Sequence, residues 1–345
     1  MTPSEDLSDI AKRPSDGAFV RRTLFVLVLV ALTAMLWQLR PVVVLVYGAL
    51  VLAVGLTIPT SLLARRFGLA RQWALMIVIF ALLGTATVGF WLAGDRLANQ
   101  LNELWEQLPR ALEQARVWLQ GMPMGQRISS AMHEIEPNGD WIQGIGGVAG
   151  LTLGALGNAA LLVVMAVYLA ADPETYLRGA VRLAPPKHRA RLCAALRETG
   201  DGLASWLMGQ AISMTFVGAS TALGLWLLDM PLALSLGFIA GLLSFVPYFG
   251  PIASGVLGVA LAFTEGPMMA LWVALLFLAI QQVEGVLLTP LVQRWATSLP
   301  PVLAVTAVIA FGILLGMPGV LFATPLMVAV MILVRRLYVE QMLEA

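Results

Sequence analysis

"LLSFVPYFGPIASG", residues 242–255, interrupts an apolar run otherwise long enough to cross a bilayer. Pro247 and Pro251 each lack an amide hydrogen, and in a continuous helix each clashes with the carbonyl four residues earlier. Pro251 also pushes Gly250 away from helical dihedrals. In hydrocarbon an unpaired peptide group costs several kcal/mol, so a break persists only where protein or water takes up the freed groups. The stretch predicts the tip of a helix–break–helix hairpin lining a site. There, the carbonyls of Leu243, Val246 and Pro247 and the Tyr248 hydroxyl face a cavity. Gly250 makes the turn, and the helix restarts near Ile252.

The rest of the chain is built for the same solvent. Its 345 residues are 59% hydrophobic and 12% charged, against about 25% charged in a soluble domain. Between Gly202 and Arg335 the only charged residues are Asp229, Glu265, Glu284 and Arg294. The composition predicts an all-α polytopic membrane protein surrounded by membrane lipid. A net charge of +1 gives no sign of a nucleic-acid partner. The lone Cys193 excludes a disulfide framework. Residues 1–20 are polar, without an apolar core, and read as a short disordered cytoplasmic tail rather than a signal peptide.

Apolar spans follow at 23–39, 42–58, 73–93, 146–170 and 204–228, then an interrupted stretch at 231–264, a regular span at 267–291 and a second interrupted stretch at 299–337. That makes about eight membrane segments, two of them Pro/Gly-broken hairpins that either cross fully or re-enter halfway. Arg21, Arg22, Arg65, Arg66, Arg71, Arg335 and Arg336 flank spans, and the loop 171–201 holds six basic residues. The positive-inside bias puts these, and both termini, in the cytoplasm. The segment 95–141, with seven acids and four arginines, then lies outside. Its leucines at 97, 101, 104, 108 and 112 form one amphipathic stripe, and Pro109 starts a second helix there. That segment rests on the membrane or the protein's own top, or makes a subunit contact. The chain thus divides into 21–94 with three spans, the extracytoplasmic helices 95–141, a fourth span and basic loop at 142–203, and a transport region at 204–345.

The second interrupted stretch has Gly316, Pro318 and Gly319 at its tip. Pro231 precedes Pro247 by sixteen residues and Pro301 precedes Pro318 by seventeen, so the two stretches are alike in outline. Paired interrupted segments are the best sequence pointer to a transporter site. Glu284 lies well inside the span 267–291, with Gln281 one turn before it and Gln282 nearby. A carboxylate in hydrocarbon faces a cavity or a partner, so these residues are expected to bind substrate, carry a proton or cation, or bond a broken helix end. Gln210 is a candidate of the same kind. Catalysis is not expected: His133 and His188 fall on opposite sides of the membrane, and no HExxH, GxxxxGK[ST] or CxxC occurs. No cofactor and no metal are expected. A non-transporting scaffold, its breaks serving packing alone, remains the reading of another class.

"FVPYFGP" (245–251), "QQVEGVLLTP" (281–290) and "LGMPGVLFATP" (315–325) resemble, in that order, motifs of the autoinducer-2 exporter family of bacterial membrane proteins. The short paired spans, the amphipathic segment after span 3 and the basic loop after span 4 fit the same family. The chain departs from its pattern at Arg294 and Pro300, where a glycine and a histidine are usual. The resemblance implies a bacterial inner-membrane transporter exporting a small solute such as autoinducer-2, or a sodium/proton antiporter. It also implies a homo-oligomer, a pentamer, with elevator-like movement of the hairpin region.

Overall fold

The computed structural model describes residues 38–120, 153–288 and 300–340, together with Pro290 and scattered helical positions between Arg21 and Met35. The N-terminal tail, most of the first expected span, residues 121–152 and the linker 291–299 lie outside the described residues. Residues 1–45 form one compact unit, helical at its described positions except for a turn at Leu39. Residues 46–345 form the other, and it holds both interrupted stretches.

Every described element is helical: α1 (Arg40–Phe67), α2 (Arg71–Gln120), α3 (Leu153–Ala171), α4 (Pro173–Arg182), α5 (Arg189–Leu227), α6 (Ala233–Leu243), α7 (Phe249–Ala262), α8 (Pro267–Val283), α9 (Pro301–Leu315) and α10 (Met317–Val334), with short 3-10 and π turns between or after them. Among the described residues, four helical stretches are long and apolar enough to cross a membrane: Arg40–Phe67, Pro186–Leu227, Pro267–Leu288 and Met317–Val339. The first interrupted stretch instead divides into two shorter helices, and the second into a short α9 followed by the crossing-length stretch that begins with α10. At 1.5 Å per residue, the 11 residues of α6 reach about 16 Å and the 14 of α7 about 21 Å. A hydrocarbon core is about 30 Å thick.

Two expectations are corrected. Pro109 does not start a new helix; it sits inside α2, a single helix of 50 residues. Packing overrides the missing hydrogen bond, because Leu104 and Ala111, on either side of Pro109, are fully buried in one cluster with Leu236, Leu261 and Phe277. The segment 171–201 is not a loop but α4 and the first turns of α5. Asp172 caps α4 by accepting from the Thr175 amide at 3.2 Å, and Pro173 occupies the first turn, where its missing donor costs nothing. The Thr175 bonds hold the Asp172 carboxyl below the usual carboxylate range. Its capping contribution is therefore complete above the ordinary aspartate pKa of about 4 and is lost as the pH falls further.

Polar ties mark two ends of the bundle. At one, Arg71 Nε donates to the Ala170 carbonyl at 2.9 Å, Arg197 pairs with Glu174 at 3.1 Å, and Glu198 accepts from both Arg335 and Arg336. At the other, the Ser235 amide and hydroxyl donate to Gln100 Oε1 at 3.2 and 3.0 Å, and Trp118 packs on Phe263 at 5.3 Å. Arg71, Arg197, Arg335 and Arg336, four of the basic residues that the sequence groups on one side, thus make their contacts at one end.

Between these ends, α5 and α6 cross on glycine. A Cβ on Gly237 would lie 2.5 Å from the Ala222 Cβ and 2.7 Å from the Gly218 carbonyl oxygen, and one on Gly241 would lie 2.9 Å from the Met214 carbonyl oxygen and 3.1 Å from the Gly218 Cα. Small residues let two helices approach in this way. Gly237→Val should lower stability by about 1–3 kcal/mol through overpacking against fixed backbone. Gly157→Ala, with nothing within 4 Å of the new carbon, should be neutral or slightly stabilising. Thermal unfolding of the two purified variants in detergent measures the contrast.

Candidate functional site

The break at 244–248 is the structural centre of the interrupted region. α6 ends at Leu243, and the Phe245 and Val246 amides turn back onto the Leu242 and Leu243 carbonyls at 3.1 and 3.0 Å. Tyr248 then takes φ 67° and ψ −47°, a tight γ-turn closed by the Phe249 amide on the Pro247 carbonyl at 2.8 Å. The Gly250 amide donates to Val246 at 2.9 Å. A non-glycine residue held in this region stores strain of order 1–3 kcal/mol and persists only where the surroundings over-determine it.

This geometry corrects the expected tip. The Leu243, Val246 and Pro247 carbonyls do not stand open toward a cavity, because the chain curls back to satisfy each of them. The helix restarts at Phe249, not near Ile252, so Pro251 lies within the first turn of α7 and interrupts nothing. Gly250 is helical, and the positive φ falls on Tyr248. What Gly250 supplies is space: a Cβ there would sit 1.8 Å from the Leu243 carbonyl oxygen. The Tyr248 side chain is 46% exposed.

The second tip is shorter. Gly316 alone separates α9 from α10, at φ 69° and ψ −152°, and Pro318 opens α10 rather than ending α9. A Cβ on Gly319 would lie 2.0 Å from the Phe311 carbonyl oxygen, so α9 and α10 pack backbone to backbone just past the break. Val246, from the first break, packs into the cluster of Ala307, Val308 and Ala323. The neighbouring Phe245 stacks edge-on against Trp206 at 5.7 Å. The first break is thus wedged between α5 and the α9–α10 pair.

Two polar ties from α5 complete the site. Gln210 Nε2 donates to the Ser244 carbonyl, the first peptide group after α6. Three residues on, and so on the same face of α5, the Ser213 hydroxyl donates to Glu284 Oε1. Glu284 begins the π turn Glu284–Leu288 that follows α8. One helix therefore supplies a donor to the broken segment and a donor to the carboxylate. Gln281 is half-buried one turn before Glu284, and Gln282 is exposed. Ser213 was not among the residues marked by sequence, though its spacing from Gln210 on an apolar helix is the signal that finds it. An apolar groove of about 410 Å³ lies alongside, between α5 and α6, lined by Met214, Gly218, Leu234, Gly237, Phe238 and Leu242. Its one polar side chain, Thr215, donates to the Ala211 carbonyl at 2.8 Å.

Four apolar helical stretches of membrane-crossing length among the described residues define a multi-helical membrane protein, and comparison with known proteins agrees. The profile of the AI-2E family transporters matches residues 25–338, and the chain belongs to that family. It is 31% identical over 328 residues to the "Putative transport protein MT0215" of Mycobacterium tuberculosis, covering 87% of this chain and 85% of that one. It is 30% identical to the "Putative permease PerM" of Escherichia coli over 81% of this chain and 82% of the other. With the "Putative transport protein YrrI" of Bacillus subtilis the identity is 29%, and the match spans about half of that protein, 47% of its length.

Gln210→Leu removes the only side-chain donor described on the Ser244 carbonyl and should cost about 1–3 kcal/mol for the group left unpaired. Gln282→Leu, at an exposed position, should change stability by less than about 0.5 kcal/mol. Thermal unfolding in detergent separates the two.

Proposed function

We propose that this protein exports a small polar solute, of which autoinducer-2 is the candidate implied by the family likeness, through the region 204–345. Glu284 is the substrate or coupling-ion site, presented beside the first break with Ser213. The observation that carries this reading is the carboxylate itself, inside an apolar helix and bonded by a hydroxyl of a neighbouring one. Such a group is expensive in a membrane, and packing alone does not require it. In this reading α6–α7 is a re-entrant hairpin, which the lengths of α6 and α7 support, and α9–α10 is a broken pair whose second helix crosses the membrane. Gln281, Gln282, Gln210, Tyr248 and the tip residues Pro247, Gly250, Pro251, Gly316, Pro318 and Gly319 shape the path. The hairpins move together, elevator-like, within a homo-oligomer, a pentamer, of the bacterial inner membrane. Both termini are cytoplasmic and the far half of α2 is outside.

Sodium/proton antiport is the second reading, favoured by the same carboxylate, since a lone acid in an apolar helix is a natural proton carrier. Flux into proteoliposomes separates the two when autoinducer-2 is compared with imposed sodium and proton gradients. Glu284→Gln should insert and assemble normally while transport falls by on the order of tenfold or more. Loss of pH dependence marks ion coupling, and an affinity loss at every pH marks solute binding. Unchanged flux in Glu284→Gln returns the residue to a structural role, and no flux of any kind favours a scaffold.

Orientation has its own test. In a Cys193→Ser background, a membrane-impermeant thiol reagent on intact cells should label a cysteine at Glu106, an exposed position, and spare one at Lys187. The reverse pattern inverts the topology.

A further inference from the structure

We propose that α4 and the turn after it, residues 173–189, form an in-plane anchor that binds anionic phospholipid headgroups. The chain turns by 88° between Gly157–Ala171 and Pro173–Arg182. If the apolar α3 crosses the bilayer, α4 lies along its surface. Ten residues that include Glu174, Thr175, Arg178 and Arg182 do not belong in hydrocarbon.

The helix is apolar on one side and divides that side between two neighbours. Pro173, Leu177 and Val181 are half-buried against the protein. Tyr176, Ala180 and Leu183, spaced four and three apart, form an exposed stripe, with Tyr176 47% and Leu183 89% exposed. An apolar stripe left open on a surface-lying helix, beside a cationic polar face, is the pattern of an interfacial anchor.

The charges fix the headgroup. The segment's one acid and the acid that caps it are occupied: Glu174 accepts from Arg197, and Asp172 accepts from Thr175. Arg189 closes the turn by donating to the Ala184 and Arg182 carbonyls at 3.0 and 3.3 Å, which keeps its charge within the segment. Arg182 and Lys187, one before and four after Leu183 in sequence, add two exposed cations to the same turn, complementary to a phosphate-bearing surface. The Glu174–Arg197 pair fastens the anchor to the start of α5.

The test uses the full chain in phosphatidylcholine vesicles, with Cys193→Ser and Leu183→Cys carrying an environment-sensitive fluorophore. Lipids brominated near the headgroup should quench the label. Brominated phosphatidylglycerol should do so about threefold more strongly per mole than brominated phosphatidylcholine. Arg182→Gln with Lys187→Gln should bring that ratio to about one while the label stays quenched. A label quenched by aqueous iodide and not by lipid overturns the anchor. A label shielded from both means that another protein surface covers the stripe, and it overturns the anchor as well. Equal quenching by the two lipids in the parent protein, or an unchanged ratio in the double variant, overturns the headgroup preference.

Discussion

A peptide group inside hydrocarbon must find its partner within the protein, and the interrupted region is organised around that demand. Breaking a helix between Leu243 and Phe249 releases several carbonyls from the helical ladder. Most are recovered locally, through the turns at 242–246 and the γ-turn at Tyr248. The Ser244 carbonyl is met from outside, by Gln210. That amide ties the broken segment to α5, and the close α5–α6 crossing at Gly218, Gly237 and Gly241 makes the reach possible.

The same helix carries the carboxylate's partner. Because Gln210 and Ser213 are three residues apart, a rotation or slide of α5 alters both bonds at once. The break and Glu284 are therefore coupled through one element rather than through the intervening residues of α7 and α8 and their joints. Trp206, one turn before Gln210, adds an apolar hold on the break through Phe245 and lies in the same cluster as Val328, Ala329 and Ile332 of α10. Both broken pairs thus lean on α5.

Much of this was legible in the residues. Composition gave the membrane class, the apolar lengths placed α5 and α8, and the Pro/Gly clusters marked both tips. Glu284 and Gln210 stood out because polar groups are rare in such helices. The misreadings came from treating proline as a signal independent of its surroundings. Pro109 passes unnoticed inside α2 because burial of Leu104 and Ala111 outweighs one lost bond. Pro251 and Pro318 sit in first turns, where proline is at home, so the true breaks fall on Tyr248 and Gly316. No propensity argument assigns a positive φ to a tyrosine; only the closure of the surrounding chain can. Ser213 escaped notice because an isolated serine in an apolar helix commonly bonds its own backbone.

The tie between Glu198 and the paired Arg335 and Arg336 has a consequence for how the chain assembles. These partners are 137 and 138 residues apart in sequence, and Arg191 reaches the Arg336 carbonyl across 145. Contacts of such separation close only after everything between them has been made, and they reward the chain late. Until α10 arrives, Leu203 and Trp206 lack their neighbours Val328, Ala329 and Ile332. The seating of the last helix is thus the step that seals α5 from both sides, and a chain cut short before Met317 would enter the membrane with its central helix half dressed.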